Sequence, residues 1–211
     1  MLHLIGKIPQ EHFFIAVSGG IDSMVLLSLL QKFPKNKFSV LHFNHGTEHG
    51  KLAEQFVANY CQNHHLQLFT GNISRSKEKK ESWEEYWRNE RYTFFKLFNG
   101  KILTAHHLND AVETWIFTSL RGNGKLIPYQ RDNFIRPLLA CEKTKILTWG
   151  QKNDVPWIED ETNAENEHSR NIIRNELMPT VKKINPGIEK TVKKMILEKW
   201  RENNIKVLGK I

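Results

Sequence analysis

Cysteine is scarce in this sequence: its 211 residues contain only Cys61 and Cys141. Two cysteines this far apart exclude a disulfide framework and a CxxC metal site. No apolar run is long enough to cross a bilayer, and the first residues lack the pattern of a secretory signal. Low-complexity tracts are missing and 39% of the residues are hydrophobic, which predicts one globular domain with room for a small appendage. We therefore expect a cytoplasmic protein with no membrane partner.

The net charge of +8 is unevenly distributed along the chain. Residues 170–211 contain 11 Lys and Arg against 4 Asp and Glu, whereas the preceding residues contain 20 against 19. A local basic excess is typical of a protein that binds a polyanion, because neutralised phosphates release counterions. A solvated lysine face on a terminal helix gives the same composition. Charge alone leaves both interpretations open.

Short apolar runs alternate with helical stretches in the first half of the chain. Four runs predict strands, at 12–18, 38–45, 66–73 and 101–107. The alternation predicts an α/β fold with a doubly wound, mainly parallel sheet and helices on both faces. Ligands of such sheets bind beyond the carboxyl ends of the strands. We expect the compact domain to cover residues 1–183 and a basic helical extension to cover 184–211.

A glycine turn directly follows the first predicted strand. Paired glycines allow positive φ and remove side chains that would block a ligand. Backbone amides, two hydroxyls and the positive end of the next helix then converge on one point, which favours a nucleotide phosphate. A carboxylate there would repel phosphate unless it binds Mg²⁺. The alternative is an ordinary strand-to-helix turn with a polar N-cap. The residues concerned are Ser18, Gly19, Gly20, Ile21, Asp22 and Ser23, with Asp22 as the magnesium ligand.

The SGGIDS sequence of this turn resembles the signature of the PP-loop enzymes, or N-type ATP pyrophosphatases. Further segments resemble the tRNA(Ile)-lysidine synthetase family within that superfamily, in the family's order. They are HFNHG (42–46), WEEYWRNERY (83–92), TAHHLNDAVETWIFTSLRGNG (104–124), IRPLL (135–139), WIEDETN (157–163) and RNIIRNELMP (170–179).

The resemblance implies a fold, a reaction and a set of ligands. The fold is that of the adenine nucleotide alpha hydrolases, which is Rossmann-like. The reaction is ATP-dependent ligation of lysine to C2 of the wobble cytidine of tRNA(Ile) with a CAU anticodon, through an adenylated tRNA, releasing AMP and pyrophosphate. The implied cofactors are ATP and Mg²⁺, and the partners are this tRNA and L-lysine.

His106 and Asp110 follow the fourth predicted strand, where the resemblance implies a role in adenylation. The alternatives are a buried histidine and an acidic residue that complements the helix dipole. Many family members have Asp where this chain has Asn109, so the resemblance does not carry over a charge at that position.

Arg88 and Arg91 lie three residues apart, so both guanidinium groups can reach one region. They could bind triphosphate or tRNA phosphate, or pair with nearby glutamates. The resemblance favours the first interpretation, and Arg88 is the candidate catalytic residue of the two.

Several further residues are candidates. His42 and Asn44 end the second predicted strand and could line the adenosine side of the pocket, or could be turn residues. Arg174 is a candidate catalytic residue by the resemblance. The candidate contacts for lysine or for the modified nucleotide are Glu113, Arg121, Asp160, Arg170 and Asn171. A carboxylate of the acidic run 159–161, which includes Asp160, could attract the lysine ammonium group, or the run could be a solvated loop.

Two alternatives to the proposed activity stay open. One is another PP-loop enzyme, either a tRNA thiolase or an amidotransferase such as NAD or GMP synthetase. The other is a catalytically silent module that binds nucleotide or RNA. Family members usually continue into further tRNA-binding domains, so this chain resembles the catalytic domain alone. Its basic tail and a homodimer are two ways in which tRNA binding could be completed.

Overall fold

The computed structural model describes residues 2–33, 35, 37–159 and 172–202. The chain forms two compact units. The sheet unit comprises Pro9–Thr104 and Val155–Glu159, and the helix-rich unit comprises Met1–Ile8, Ala105–Asp154 and Asp160–Ile211.

The sheet unit is built on four parallel strands, β1 (Phe13–Ala16), β2 (Phe38–Asn44), β3 (Leu68–Asn72) and β4 (Ile102–Leu103), in the order β3-β2-β1-β4. Ile15 of β1 pairs with Val40 on one side and with Leu103 on the other. The chain moves outward from β1 to β3 and then returns to the far side of β1. This reversal creates a topological switch point between β1 and β4, the place where doubly wound sheets bind ligands.

Three helices connect these strands, α1 (Ile21–Gln31), α2 (Glu48–Asn63) and α3 (Trp83–Phe95). Seven of the eleven residues of α1 are buried, because the helix is apolar on most of its circumference. The two amphipathic helices begin at side-chain caps. Thr47 Oγ1 accepts from the Gly50 amide at 2.9 Å, and Ser82 Oγ accepts from the Glu85 amide at 3.1 Å.

The helix-rich unit contains a short antiparallel hairpin and several helices. Ile5 of the N-terminal segment donates its amide to the Pro137 carbonyl at 2.9 Å. The elements are α4 (Leu108–Ser119), β5 (Gln130–Arg131), β6 (Phe134–Ile135), α5 (Lys143–Lys152), a π-helical segment (Ile173–Leu177), α6 (Met178–Ile184) and α7 (Ile188–Glu202). The buried face of α7, which packs on α4, repeats every fourth residue as Ile188, Val192, Ile196 and Trp200.

The predicted α/β fold class with a doubly wound parallel sheet is confirmed. The run at 101–107 was expected as one strand, but only Ile102 and Leu103 are paired, because His107 already serves as the N-cap of α4. The predicted domain boundary at residue 183 stays a prediction. No helix in the described ranges has the length and apolarity needed to span a membrane.

Candidate functional site

The glycine turn lies at the switch point, between the end of β1 and the start of α1. Gly19 has φ of +92°, a value that favours glycine. Ser23 Oγ accepts from the Ser18 amide at 3.1 Å and donates to the Gly20 carbonyl at 2.9 Å. Ser23 is buried whereas Ser18 is exposed. Ser23 therefore shapes the turn, and Ser18 faces the solvent where a ligand would bind.

The N-terminus of α1 differs from those of α2 and α3. Its N-cap is Gly20, and no side chain caps it among the residues that the structure describes. The first amides of a helix have no partner within the helix and carry the positive end of its dipole. An uncapped helix behind a glycine turn is the arrangement that suits a phosphate group. Asp22 lies in this first turn.

The segment Val155–Glu159 contacts the glycine turn, a contact that sequence reasoning missed. The Ile158 amide donates to the Gly19 carbonyl at 3.1 Å. A Cβ placed on Gly19 would lie 3.4 Å from the Ile158 side chain and 3.6 Å from Phe56. The resemblance included the WIEDETN segment, but nothing in an isolated isoleucine indicates a partner more than 130 residues away.

His42 is almost fully buried at the end of β2. Its Nδ1 lies 2.9 Å from the Val17 carbonyl, so Nδ1 carries the hydrogen. Burial lowers the pKa of His42, which keeps the ring neutral near pH 7. Nε2 is then a buried acceptor with no hydrogen-bond partner among the described residues.

Asn44, the other candidate on β2, is engaged within the protein. Its Nδ2 donates to Glu54 Oε2 at 2.7 Å, and its Oδ1 accepts from the Gly46 amide at 2.8 Å. These bonds fix the turn after β2. The geometry thus supports the turn-residue alternative for Asn44.

Arg91 lies near His45, on the face of α3 that meets the end of β2. Burial, with the positive charge of Arg91 and an electrostatic contribution from His42 when it is protonated, lowers the pKa of His45 from 6.5 to about 4. The His45 ring packs against Phe43 and Trp87, with centroid distances of 5.1 Å and 5.8 Å. By its position at the end of the second predicted strand, His45 is, like His42 and Asn44, a candidate for the adenosine side of the pocket or a turn residue.

Arg88 is exposed, and its guanidinium carbon lies 5.1 Å from the centre of the Tyr92 ring. Glu90, one of the pairing partners considered for it, is buried and bonds elsewhere. Glu90 Oε2 accepts from the Ser74 amide at 2.7 Å, and Glu90 Oε1 lies 3.1 Å from Arg75 Nε. These bonds tie the segment before α3 to the helix that presents Arg88.

In the helix-rich unit, Asp110 caps its own helix. Its Oδ2 accepts from the His107 amide at 2.8 Å and lies 3.5 Å from His107 Nδ1. His106 precedes this cap and is half-buried. The dipole alternative for Asp110 is therefore realised, while its second oxygen faces Arg174 at 4.0 Å.

Glu113 and Arg174 form a two-bond ion pair. Arg174 Nε and Nη2 donate to the two Glu113 oxygens at 2.8 Å and 2.9 Å, and Glu113 is buried. The structure thus brings together three predicted site residues, Asp110, Glu113 and Arg174. Arg174 belongs to the π-helical segment, an irregularity that is frequent at functional sites.

Asn109 joins three elements of the same unit. Its Oδ1 accepts from the Lys143 amide at the start of α5 at 3.0 Å, and its Nδ2 donates to Glu189 of α7 at 3.2 Å. An aspartate could not make the second bond. The amide at this position therefore suits the glutamate opposite it.

Arg121 does not join this cluster. Arg121 follows the far end of α4 and stacks on Phe117, with its guanidinium carbon 4.1 Å from the ring centre. Asp160, Arg170 and Asn171 lie outside the residues that the structure describes.

No group of three His, Cys, Asp or Glu side chains in the described part of the chain forms a metal site by itself. Mg²⁺ that accompanies a nucleotide needs only one or two carboxylates besides phosphates and water. Asp22, in the first turn of α1, fits that requirement.

These features define a class: a doubly wound α/β protein with a glycine turn suited to phosphate at its switch point. The sequence profile of the PP-loop domain family matches residues 1–181. The chain therefore belongs to the PP-loop domain family.

The chain is also similar to curated proteins named tRNA(Ile)-lysidine synthase. It is 36% identical to the protein of Thermotoga maritima, with 88% of this chain and 49% of the relative covered. It is 33% identical to that of Enterococcus faecalis, with 84% and 42% covered, and 32% identical to that of Staphylococcus aureus, with 94% and 50% covered. The chain thus spans about half the length of these relatives.

Solved structures support the fold. The U34-tRNA thiolase NcsA from Methanococcus maripaludis superposes with a TM-score of 0.73 at 13% identity, covering 97% of this chain and 76% of that one. At this identity the similarity concerns the fold alone.

Proposed function

We propose that the chain carries the chemistry of an ATP-dependent ligase that joins lysine to C2 of the wobble cytidine of tRNA(Ile) with a CAU anticodon. The observation that carries the proposal is the glycine turn at the switch point, with its exposed Ser18 and the uncapped start of α1. The names of the relatives supply the substrate class.

The reaction needs ATP because the oxygen on cytidine C2 is a poor leaving group. Transfer of AMP to this oxygen releases pyrophosphate and gives an adenylated base. The amine of lysine then attacks C2, and AMP leaves. The protein has to hold the triphosphate of ATP and bring the wobble base, turned out of the anticodon stack, to the α-phosphorus of ATP. It also has to exclude other nucleophiles.

The sheet unit would bind the nucleotide. The amides of the turn and Ser18 would hold the β- and γ-phosphates, with Ser23 keeping the turn in shape. Asp22 would hold Mg²⁺, which supplies positive charge to the phosphates. His42 would line the adenosine side with its neutral ring. Arg88 and Arg91 would contact triphosphate or RNA phosphate.

The helix-rich unit would contribute to adenylation and substrate binding. His106 and Asp110 are the residues proposed for adenylation, and Arg174, oriented by Glu113, would bring positive charge toward developing negative charge. Arg121, Asp160, Arg170 and Asn171 stay proposed substrate contacts. The homodimer also stays a prediction.

The test is incorporation of labelled lysine into a CAU-anticodon tRNA in the presence of ATP and Mg²⁺. We expect incorporation by the parent, a loss of about 10²-fold or more in Asp22→Asn, and no loss in the control Asp154→Asn, which changes an exposed aspartate. ATP consumption without lysine in the RNA would contradict the substrate assignment.

The thiolase alternative is disfavoured by the state of the cysteines. Burial raises the pKa of Cys61 to about 11 and also raises that of Cys141, so both are protonated near neutral pH. A thiol that stays protonated is a poor nucleophile for sulfur transfer.

A further inference from the structure

Helix α7 has a cationic outer face opposite its buried face. Lys190, Lys194 and Arg201 are exposed and lie within an arc of about 40° when the helix is viewed along its axis. They extend over about 16 Å of the helix at 1.5 Å per residue. We call these three residues the basic stripe.

Little negative charge neutralises the basic stripe. Lys194 meets Glu198 at 3.8 Å, with side-chain exposures of 77% and 52%, a contact worth little in water. Lys190 and Arg201 form no ion pair with any residue between positions 2 and 202 that the structure describes. From Met178 to Glu202 the chain has seven basic and three acidic residues.

The neighbouring surface is also basic. Glu142, at the start of α5, has its pKa lowered by its hydrogen bond to Lys145 and further by the charges of Lys193 and Lys190. Lys145 contacts this carboxylate at 2.9 Å, whereas Lys193 and Lys190 act on it through their charges. The cationic surface extends beyond the helix, and its potential is not cancelled locally.

We propose that the basic stripe binds the phosphate backbone of the RNA substrate, an inference that rests on the proposed function. A line of lysine and arginine side chains suits phosphates, which are contacted as point charges without base readout. A protein partner would need apolar anchors, and the large exposed hydrophobic side chains of the described residues include none from α7. A membrane is disfavoured because the apolar face of α7 is already buried.

The test measures the affinity of fluorescent CAU-anticodon tRNA at several KCl concentrations. In the triple variant Lys190→Gln, Lys194→Gln, Arg201→Gln we expect the slope of log K against log salt to fall by about 2 to 3, one for each lost phosphate contact. The matched control changes Lys35, Lys37 and Lys101 to Gln. These exposed lysines lie on the amino-terminal side of β2 and β4, and the salt slope should stay unchanged.

A second variant separates charge from folding. This variant combines Lys190→Arg, Lys194→Arg and Arg201→Lys, so it keeps all three charges. It should keep the parent's salt slope. All variants should bind Mg-ATP as the parent does. An unchanged tRNA slope in the glutamine variant overturns the proposal. The parent protein could fail to incorporate lysine while the glutamine variant still shows a smaller salt slope for tRNA binding. That result would contradict the proposed substrate and support the basic stripe as an RNA-binding surface.

Discussion

Ser18 and Ser23 lie in the same turn, but their hydroxyls have different tasks. Ser23 is buried and bonded to the backbone at both ends of the turn, whereas Ser18 is exposed. We expect Ser23→Ala to lower the free energy of unfolding by about 1–2 kcal/mol, because two backbone groups lose their partner. Among the described residues, Ser18→Ala removes only the contact of Ser18 Oγ with Ser23 Oγ at 3.2 Å, so it should lower stability by less than Ser23→Ala does, and it should weaken Mg-ATP binding.

Urea denaturation and calorimetry with Mg-ATP measure the two effects separately. A Ser18→Ala variant with parent-like ATP affinity would contradict the phosphate role of the turn. Loss of stability in Ser18→Ala, with none in Ser23→Ala, would reverse the roles assigned to the two hydroxyls.

His45 should make stability depend on pH. Its pKa is about 4 in the folded protein and 6.5 as the ordinary value, so between these pH values the unfolded chain binds more protons. The free energy of unfolding should fall by up to about 3 kcal/mol as the pH falls through this window, and His45 should add no slope above it. His42 acts in the same direction, since burial lowers its pKa too.

Denaturation between pH 4 and 7 checks this prediction. His45→Gln should flatten part of the curve, and His42 together with carboxylates of lowered pKa such as Glu142 should account for the slope that remains. The control His65→Asn changes an exposed histidine with φ of +53°, a conformation that asparagine tolerates, and should leave the curve unchanged. Equal curves for parent and His45→Gln would contradict the assignment.

The residues that sequence reasoning could place are those with local signals. The SGGIDS turn was predictable because its glycines, hydroxyls and following helix are adjacent in the chain. The Arg75–Glu90 pair and the Asn109–Glu189 bond were not, because their partners are distant in sequence and no periodic pattern links them. The sequence indicated that Asp110 could complement the helix dipole, but not that its side chain accepts from the His107 amide, because no local pattern specifies that partner.

Among elements, Asn109 connects α4 to both α5 and α7 and offers a test of how the helix-rich unit is held together. We expect Asn109→Asp to lower the free energy of unfolding by about 2 kcal/mol, because the donor to Glu189 is replaced by a second carboxylate. Adding Glu189→Gln to the Asn109→Asp variant restores a hydrogen-bond donor between positions 109 and 189. The double variant should then be more stable than the sum of the single changes predicts.

The double-mutant cycle is measured by urea denaturation of four proteins. Lys182 also pairs with Glu189 at 2.8 Å, so the single variant Glu189→Gln sets the baseline for loss of that contact. Additive single effects would show that Asn109 and Glu189 do not interact in solution.

The elements that the sequence pattern predicted are the long ones. Strands β1, β2 and β3 lie within runs of apolar and β-branched residues, and α1 is an apolar stretch that ends before residue 34. The hairpin of β5 and β6 was missed because two-residue strands are too short to show an alternating pattern. The turn between β5 and β6 places Asp132 at φ of +55°, and the composition of the segment does not indicate this conformation.

At the scale of the whole molecule, the net charge of +8 should make the affinity for tRNA depend more strongly on salt than the affinity for Mg-ATP does. RNA binding that depends on the basic stripe and on Arg88 and Arg91 would engage about five phosphates and release a counterion from each. The affinity for tRNA should therefore fall by about 100- to 500-fold between 50 and 200 mM KCl. Mg-ATP presents fewer charges and is held by backbone amides, so its affinity should fall by less than about tenfold.

Parallel titrations of one protein preparation with tRNA and with Mg-ATP check this, and poly-glutamate serves as a polyanion without phosphate. A tRNA affinity that declines no faster than that of Mg-ATP would mean that the basic excess is a solvated face, the alternative that charge composition left open. Equal salt responses for tRNA and poly-glutamate would contradict contact with the phosphate backbone. A steeper response for tRNA is expected, because its phosphates are more densely spaced than the carboxylates and release more counterions.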